Sequence, residues 1–243
     1  MKKIVFIIFA TLLLVYLGAS VYFIMNKKQV SLLCENVEVV IADSLEKKFI
    51  HEKDVVAYLT KAKLYPLNKK SEDINTYQIK EALLKNEIIE SAEVVQSVSG
   101  KITITVLQKM PVLRVFSSGG SYYVDKNGQT MPATLGQAIL VPVASGNIEK
   151  SFAVSELYKF ALFLHNDAFW NDRITQIYVR SAMDVELVPR IGDHRILLGN
   201  LDDFEKKLRH LHKFYEQVIP KMGWDKYSVI SLKYKNQIVC TKK

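Results

Sequence analysis

"INTYQIKEALLKNEIIESAEVVQSVSGKITITVLQ" (residues 74–108) decides how the first half of this 243-residue chain folds. Asn75 stands three residues before Gln78, a variant of the capping box that opens a helix. Ile74 and Ile79 take the staple positions around that cap, and Ile79, Ala82 and Leu83 supply one apolar face. A helix is therefore expected over the stretch ending near Ile89. Two strands are expected next, 92–99 and 101–108, joined through Gly100. In the second, Ile102, Ile104 and Val106 share one face while Thr103, Thr105 and Leu107 share the other, the two-residue period of a strand.

Toward the N-terminus, "HEKDVVAYLTKAK" (51–63) reads as a short helix with His51 at its N-cap. Asp54 falls in the first turn, where negative charge suits the helix dipole. Val55, Val56 and Leu59 form its apolar stripe. "VEVVIA" (37–42) reads as a strand rich in β-branched residues. The order over this part is β-α-α-β-β.

Before it lie 22 uncharged residues, Ile4 to Met25. As a helix they span roughly 33 Å, the thickness of a bilayer's hydrocarbon core. A cleaved signal peptide would have a shorter apolar stretch and an A-x-A-like site, and neither is present. No cysteine adjoins the segment, which disfavours a lipoprotein junction. The expectation is an uncleaved anchor. Lys2, Lys3 and the terminal amine slightly outnumber Lys27 and Lys28, which places the N-terminus in the cytoplasm and the rest across the membrane. The expected division is a tail at 1–3, an anchor at 4–25, a polar linker at 26–36, one domain at 37–110 and a second at 111–243.

Pro111 breaks the strand ladder and marks that last boundary. Beyond it, "VLRVF" (112–116) and "SYYVD" (121–125) flank a Ser-Ser-Gly-Gly turn, and "DKNGQ" holds an Asn-Gly step. A Gly- and Pro-dotted loop is expected over 132–150. A helix over 151–168 has Val154, Leu157, Phe160, Ala161 and Leu164 on one side. Strands are expected at 174–180, 183–189 and 194–199. A helix over 201–220 has Leu201, Phe204, Leu208, Leu211, Tyr215 and Val218 inward, with Lys206, Lys207, Arg209, Lys213 and Gln217 on the far face. "YSVISLKY" (227–234) and "NQIVCT" (236–241) form a closing hairpin around a Lys-Asn step, so the fold is α+β.

The sequence carries no catalytic constellation. There is no G-x-S-x-G, P-loop or H-E-x-x-H. His210 and His212 are two apart on a helix and point away from each other, so they share no metal. His194 beside Asp193 is no dyad, because neighbours on a strand face opposite ways. Glu72-Asp73 and Asp202-Asp203 sit at helix starts, where the dipole explains them. Cys34 and Cys240 have no metal-ligand spacing and are expected as free thiols. Four lysines bracketing the anchor account for half of the net charge of +8, which leaves too little for a nucleic-acid binder. No enzyme activity, cofactor, metal or small-molecule substrate is expected. Backbone pairing at an open sheet edge is then the natural mode of action.

Several stretches resemble, in order, the bacterial cell-division proteins of the FtsQ/DivIB family, most of all those of Bacteroidetes. The part from Val37 to Gln108 is similar to a POTRA module. "YYVDKNGQTMP" resembles the Asp-x-x-Gly segment that opens the family's second domain. "ILLGNLDDFEKKLRHLHKFY" resembles its Leu-Gly turn and Lys-Leu helix, and "SVISLKYKNQIVCTKK" its closing hairpin. One departure stands out: Gln108-Lys109-Met110-Pro111 replaces the frequent Glu-Arg-x-Pro. The resemblance implies a non-enzymatic, single-pass inner-membrane protein at the division site, with a POTRA domain and a C-terminal β-sheet domain flanked by two helices. Its implied partners are FtsB-like and FtsL-like proteins, with residues 4–25 in the lipid bilayer. Carried over by position, the candidate contacts are Tyr227, Ser228, Tyr234, Asn236, Gln237, Val239 and Cys240. Residues 236–241 are expected to form an edge strand that a partner strand extends, and Lys233, Lys235, Lys242 and Lys243 to steer an acidic partner. A POTRA-bearing assembly or translocation component is the alternative, though such proteins carry several modules and a barrel.

Overall fold

A computed structural model describes residues 2–25, 32–42, 49–133 and 139–243, with side chains for 11–22 in the first stretch. Helix α1 runs Lys2–Met25. Among the described residues, no helix is long and apolar enough to cross a membrane. The expected anchor at 4–25 extends past the side chains that are described. Met1, residues 26–31 of the expected linker, and residues 134–138 of the expected loop lie outside the described residues.

The first sheet has three strands, β1 (Val37–Ile41), β2 (Ile89–Gln96) and β3 (Ile102–Gln108), in the order β1-β3-β2. β1 lies parallel to β3, and β2 antiparallel to it. Helices α2 (Glu52–Lys61) and α3 (Thr76–Leu84) cover one face. Their Val55, Leu59, Ile79 and Leu83 pack on Ile102, Ile104 and Val106, all buried. Each such side chain contributes about 1.5–3 kcal/mol on burial. The cap at Asn75 forms as expected, its Oδ1 accepting from Gln78 N at 3.0 Å. At His51 the main-chain N–H donates to Asp54 Oδ2 at 2.9 Å.

Two boundaries differ from expectation. α3 stops at Leu84, and β2 begins at Ile89 rather than at 92. Asn86 causes the break: its Oδ1 accepts from Ile88 N at 3.1 Å, offering the backbone a turn in place of another helical bond.

The second sheet has nine strands: β4 (Pro111–Ser117), β5 (Gly120–Asp125), β6 (Thr130–Pro132), β7 (Val143–Gly146), β8 (Ile174–Ser181), β9 (Asp184–Pro189), β10 (Arg195–Gly199), β11 (Tyr227–Ser231) and β12 (Val239–Lys242). Their order is β12-β11-β10-β9-β8-β7-β4-β5-β6. Pairs β4/β7, β7/β8 and β10/β11 are parallel and the others antiparallel. The supporting helices are α4 (Lys150–Phe152), α5 (Tyr158–Asn166), α6 (Phe204–Gln217) and the short α7 (Ile219–Met222). Phe204 at the start of α6 meets Phe160 and Phe163 of α5 edge-on at 5.2 and 5.3 Å.

β7 occupies sequence expected as loop, and β6 ends on the first residue of that loop, Pro132. Parallel β7 sits between β4 and β8, so close that a Cβ added to Gly146 would lie 2.2 Å from the Val179 carbonyl oxygen. A π-helical turn, Ala153–Leu157, joins α4 to α5. Its extra residue rotates the apolar face. Phe152 and Ala153 are buried, while Val154, expected inward, is half-buried. The expected 201–220 helix is shorter, because Asp203 takes a left-handed conformation (φ 51°) and Leu201 is buried in the turn before it.

The two sheets meet at a small junction. Gln108, 1% exposed, accepts from Phe49 N through Oε1 at 2.9 Å. A neutral amide fills that role without burying a carboxylate charge. Lys126 pairs with Glu90 at 3.0 Å, and Tyr123 and Met131 pack against Phe49 and Ile88.

Candidate functional site

β12 is the last strand of the nine-stranded sheet and has one strand neighbour, β11. Its register sets Cys240 opposite Ile230, Val239 opposite Ser231 and Thr241 opposite Val229. Strand alternation then divides its side chains. Cys240 packs toward the main core, and burial pushes its thiol pKa up. Val239, on the other side, is 44% exposed. Both cysteines are free thiols, with Cys34 buried in the first sheet's core.

The edge strand occupies 239–242, not 236–241. Leu232 turns into the core, its N–H donating to Leu197 O at 2.8 Å, so a seven-residue connection is needed to bring the chain back. Tyr234, Asn236 and Gln237 lie in that connection, where Asn236 takes the left-handed conformation (φ 56°) that asparagine tolerates. Tyr227 lies at the other end of β11, opposite Lys242, and Ser228 sits at the register shift between Tyr227 and Val229. Ser228 Oγ donates toward the Thr241 and Lys242 carbonyls at 3.3 and 3.4 Å. The seven candidate residues thus split between the two ends of one hairpin, with Val239 and Cys240 on the edge strand.

The lysines divide as well. Lys233 is committed to Asp184 at 2.5 Å, and Lys243 to Asp193 at 3.1 Å. Lys235 and Lys242 are exposed and form no ion pair among the described residues.

Under the hairpin lies an aromatic block. His194, 2% exposed, shares a hydrogen bond with the Tyr215 hydroxyl at 2.7 Å, and its ring stacks with Trp224 at 6.1 Å. Burial lowers the His194 pKa and raises that of Tyr215. Asp193 turns to Lys243 instead of to His194, so the two form no dyad. Tyr227 leans on Phe214 of α6 at 5.9 Å between ring centres. These contacts fix β11, and β11 in turn fixes β12.

Sequence reasoning missed a cleft of about 280 Å³ between the start of α6 and the 232–238 connection. Lys206, Lys207 and His210 line it beside Lys235. Lys207 donates to the Asn200 side-chain and main-chain oxygens at 2.7 and 2.8 Å, and burial lowers its pKa against the upward pull of Asp202 and Asp203. The available signal was the i, i+4 spacing of Lys206 and His210 on the face turned from the core. His212 faces elsewhere, stacked on Phe169 at 3.8 Å. Among the described residues, no three His, Cys, Asp or Glu side chains are placed to hold a metal. Among the described residues, the arrangement offers the outer backbone edge of an end strand, next to cationic side chains.

A family model described as FtsQ/DivIB, C-terminal related, matches residues 110–241. A POTRA-like domain model matches residues 32–107. The chain is also similar to the cell division protein FtsQ of Rhodothermus marinus, 23% identical over 195 residues. That match covers 69% of this chain and 65% of the relative's length.

Proposed function

The chain belongs to the FtsQ/DivIB family, and from that premise we propose that it is a non-enzymatic division protein that recruits partners by strand addition at β12. The partner is an FtsB-like protein, itself bound to an FtsL-like one. The unit at 37–110 acts near the membrane and the unit at 111–243 holds the partner. Residues 4–25 anchor the chain in the inner membrane, with 1–3 in the cytoplasm and the rest across the bilayer at the division site. Support for the anchor comes from α1, where Leu12, Leu14, Tyr16 and Tyr22 are each more than 60% exposed, an apolar surface that water tolerates poorly.

One observation carries the reading: β12 is an end strand whose outward N–H and C=O groups face no other strand among the described residues. Such groups are a ready template for another chain. The test uses Thr241→Pro and Lys242→Pro in the full chain. In an antiparallel ladder, adjacent residues point their N–H groups in opposite directions. One variant therefore loses a bond to β11, and the other loses only an outward donor. The variant that keeps the wild-type melting temperature is expected to lose capture of an FtsB ectodomain. Full capture by that variant would sink the mechanism. A fluorescent fusion gives an independent check, with enrichment at midcell expected.

A further inference from the structure

The end of the first sheet that receives the chain from α1 carries exposed apolar side chains. Val98, at the tip of the β2–β3 turn, is 97% exposed, and Leu32 and Leu33 are 44% and 51% exposed. They form one surface. Gly100, two residues past Val98, approaches so closely that an added Cβ would lie 3.1 Å from the Leu33 carbonyl and 3.5 Å from Leu32 Cβ. The parallel register of β1 and β3 sets Val37 opposite Ile102, which brings the residues before both strands to the same end.

The surface is held in place by its backbone. Cys34 N donates to Lys69 O at 2.9 Å, and Ser71 N to Leu32 O at 2.8 Å. The turn is closed by Gly100 N donating to Ser97 O at 3.0 Å and Lys101 N to Ser97 Oγ at 3.1 Å. A fixed apolar tip cannot fold away from water. Lys69, Lys70 and Lys101 belong to the same end; Lys101 reaches Glu38 at 2.8 Å and Lys70 lies 3.9 Å from Glu72, both near the surface where water and salt screen the pairs.

We propose that this tip rests in the headgroup layer of the bilayer that holds α1. Val98, Leu32 and Leu33 enter the acyl boundary, and the three lysines meet anionic headgroups. The inference rests on the single-pass reading above. Chain length favours a lipid occupant: seven Cα steps separate Met25, the end of α1, from Leu32, and they reach at most about 25 Å. The tip is therefore held close to the membrane whenever α1 is in it. Exposed apolar side chains flanked by the Lys70–Glu72 and Lys101–Glu38 pairs suit the interface, where long cationic side chains reach the headgroups from beside buried carbon.

The experiment uses the full chain in vesicles of phosphatidylethanolamine and phosphatidylglycerol. Single nitroxide labels are placed by Val98→Cys, Leu14→Cys and Tyr77→Cys in a Cys240→Ser background, Cys34 being fully buried. Tyr77, 68% exposed on α3, serves as the aqueous reference. The readout is collision with oxygen relative to a water-soluble nickel chelate. The Leu14 label is expected deep in lipid, and the Val98 label to exceed Tyr77 in that ratio by roughly threefold or more. A lipid-buried Leu14 label with a Val98 label matching Tyr77 overturns the inference and leaves the anchor standing. An aqueous Leu14 label overturns the anchor and the inference with it. In phosphatidylcholine alone the Val98 label is expected to be shallower, and equal depth there overturns the role of the lysines.

Discussion

Tyr215→Phe removes one oxygen from the block that carries the closing hairpin. The hydroxyl lies 2.7 Å from His194 Nε2, with Tyr215 6% and His194 2% exposed. Phenylalanine keeps the ring contacts to Trp170 at 6.0 Å and to Trp224 at 5.1 Å, so the change isolates the hydrogen bond. His194 Nδ1 has no hydrogen-bond partner among the described residues, so the variant leaves the buried imidazole with none. Stranding such a group costs about 1–3 kcal/mol. At this chain length each kcal/mol shifts the melting temperature by about 2–4 °C, so a central 2 kcal/mol gives a fall of about 4–8 °C. Acid should add to the effect. Burial holds the His194 pKa below the ordinary histidine value; Asp193 opposes this and Lys243 reinforces it. As pH falls below about 6.5 the unfolded chain takes up the proton before the folded one does. The wild-type contribution is therefore complete above that value and is lost as pH falls through the depressed pKa. Thermal unfolding of the full chain in detergent, followed by circular dichroism at several pH values, measures both effects. His194→Gln, which has no proton to gain, should flatten the acid slope. A Tyr215→Phe melting temperature within a degree of wild type would refute the claim that this bond supports the hairpin.

Gly146→Ala should destabilise by about 3 kcal/mol or more, because φ is 111° and the new Cβ would meet the Val179 carbonyl oxygen at 2.2 Å; urea unfolding measures it. Asp125→Ala should cost about 1–3 kcal/mol, because the fully buried Oδ1 accepts from Asn127 N at 2.9 Å and Gln129 N at 2.7 Å; an unchanged urea midpoint would contradict it. Lys206→Glu with Lys235→Glu should slow association with an FtsB ectodomain and weaken its salt dependence, measured by stopped flow at low and high ionic strength.

The first sheet was legible because its signals are local. The cap at Asn75, the period of Ile102, Ile104 and Val106, and the stripe at Val55 and Leu59 each describe a segment that decides its own conformation. The second sheet was legible where strands follow one another, as at β8 and β9, and less so where a strand exists through its neighbours. "VASG" has one strong β-former in four residues, and β7 forms because β4 and β8 hold it from both sides in parallel register. The π turn at 153–157 is likewise set by packing, since nothing in the spacing of Val154, Leu157 and Phe160 separates it from an ordinary helix. At the hairpin the Lys-Asn step marked the turn, but the alternation of "SLKYKNQIVC" hid Leu232. That residue leaves the strand for the core and moves the edge strand from 236–241 to 239–242. The cleft beside α6 needed tertiary structure, because its lysines come from a helix and a connection more than twenty residues apart.

The two ends of the nine-stranded sheet are finished differently, and the difference bears on which one a partner can extend. β6 is three residues long and closes on Pro132, which has no N–H to offer. β12 is four residues long, has no proline, and carries exposed Val239 at its start and exposed Lys242 at its end. Short strands and lysines are the usual guards against indiscriminate pairing. A proline weakens pairing with any incoming chain, because it removes a donor. A lysine leaves the backbone intact and discriminates by charge: like-charged strands are repelled and acidic ones are drawn in. The cleft that meets the connection before β12, lined by four lysines against Asp202 and Asp203, extends the same preference to residues flanking the added strand. A partner that pairs here should therefore carry acidic residues next to a short β-forming run, and neutralising them should slow its arrival more than it speeds its departure.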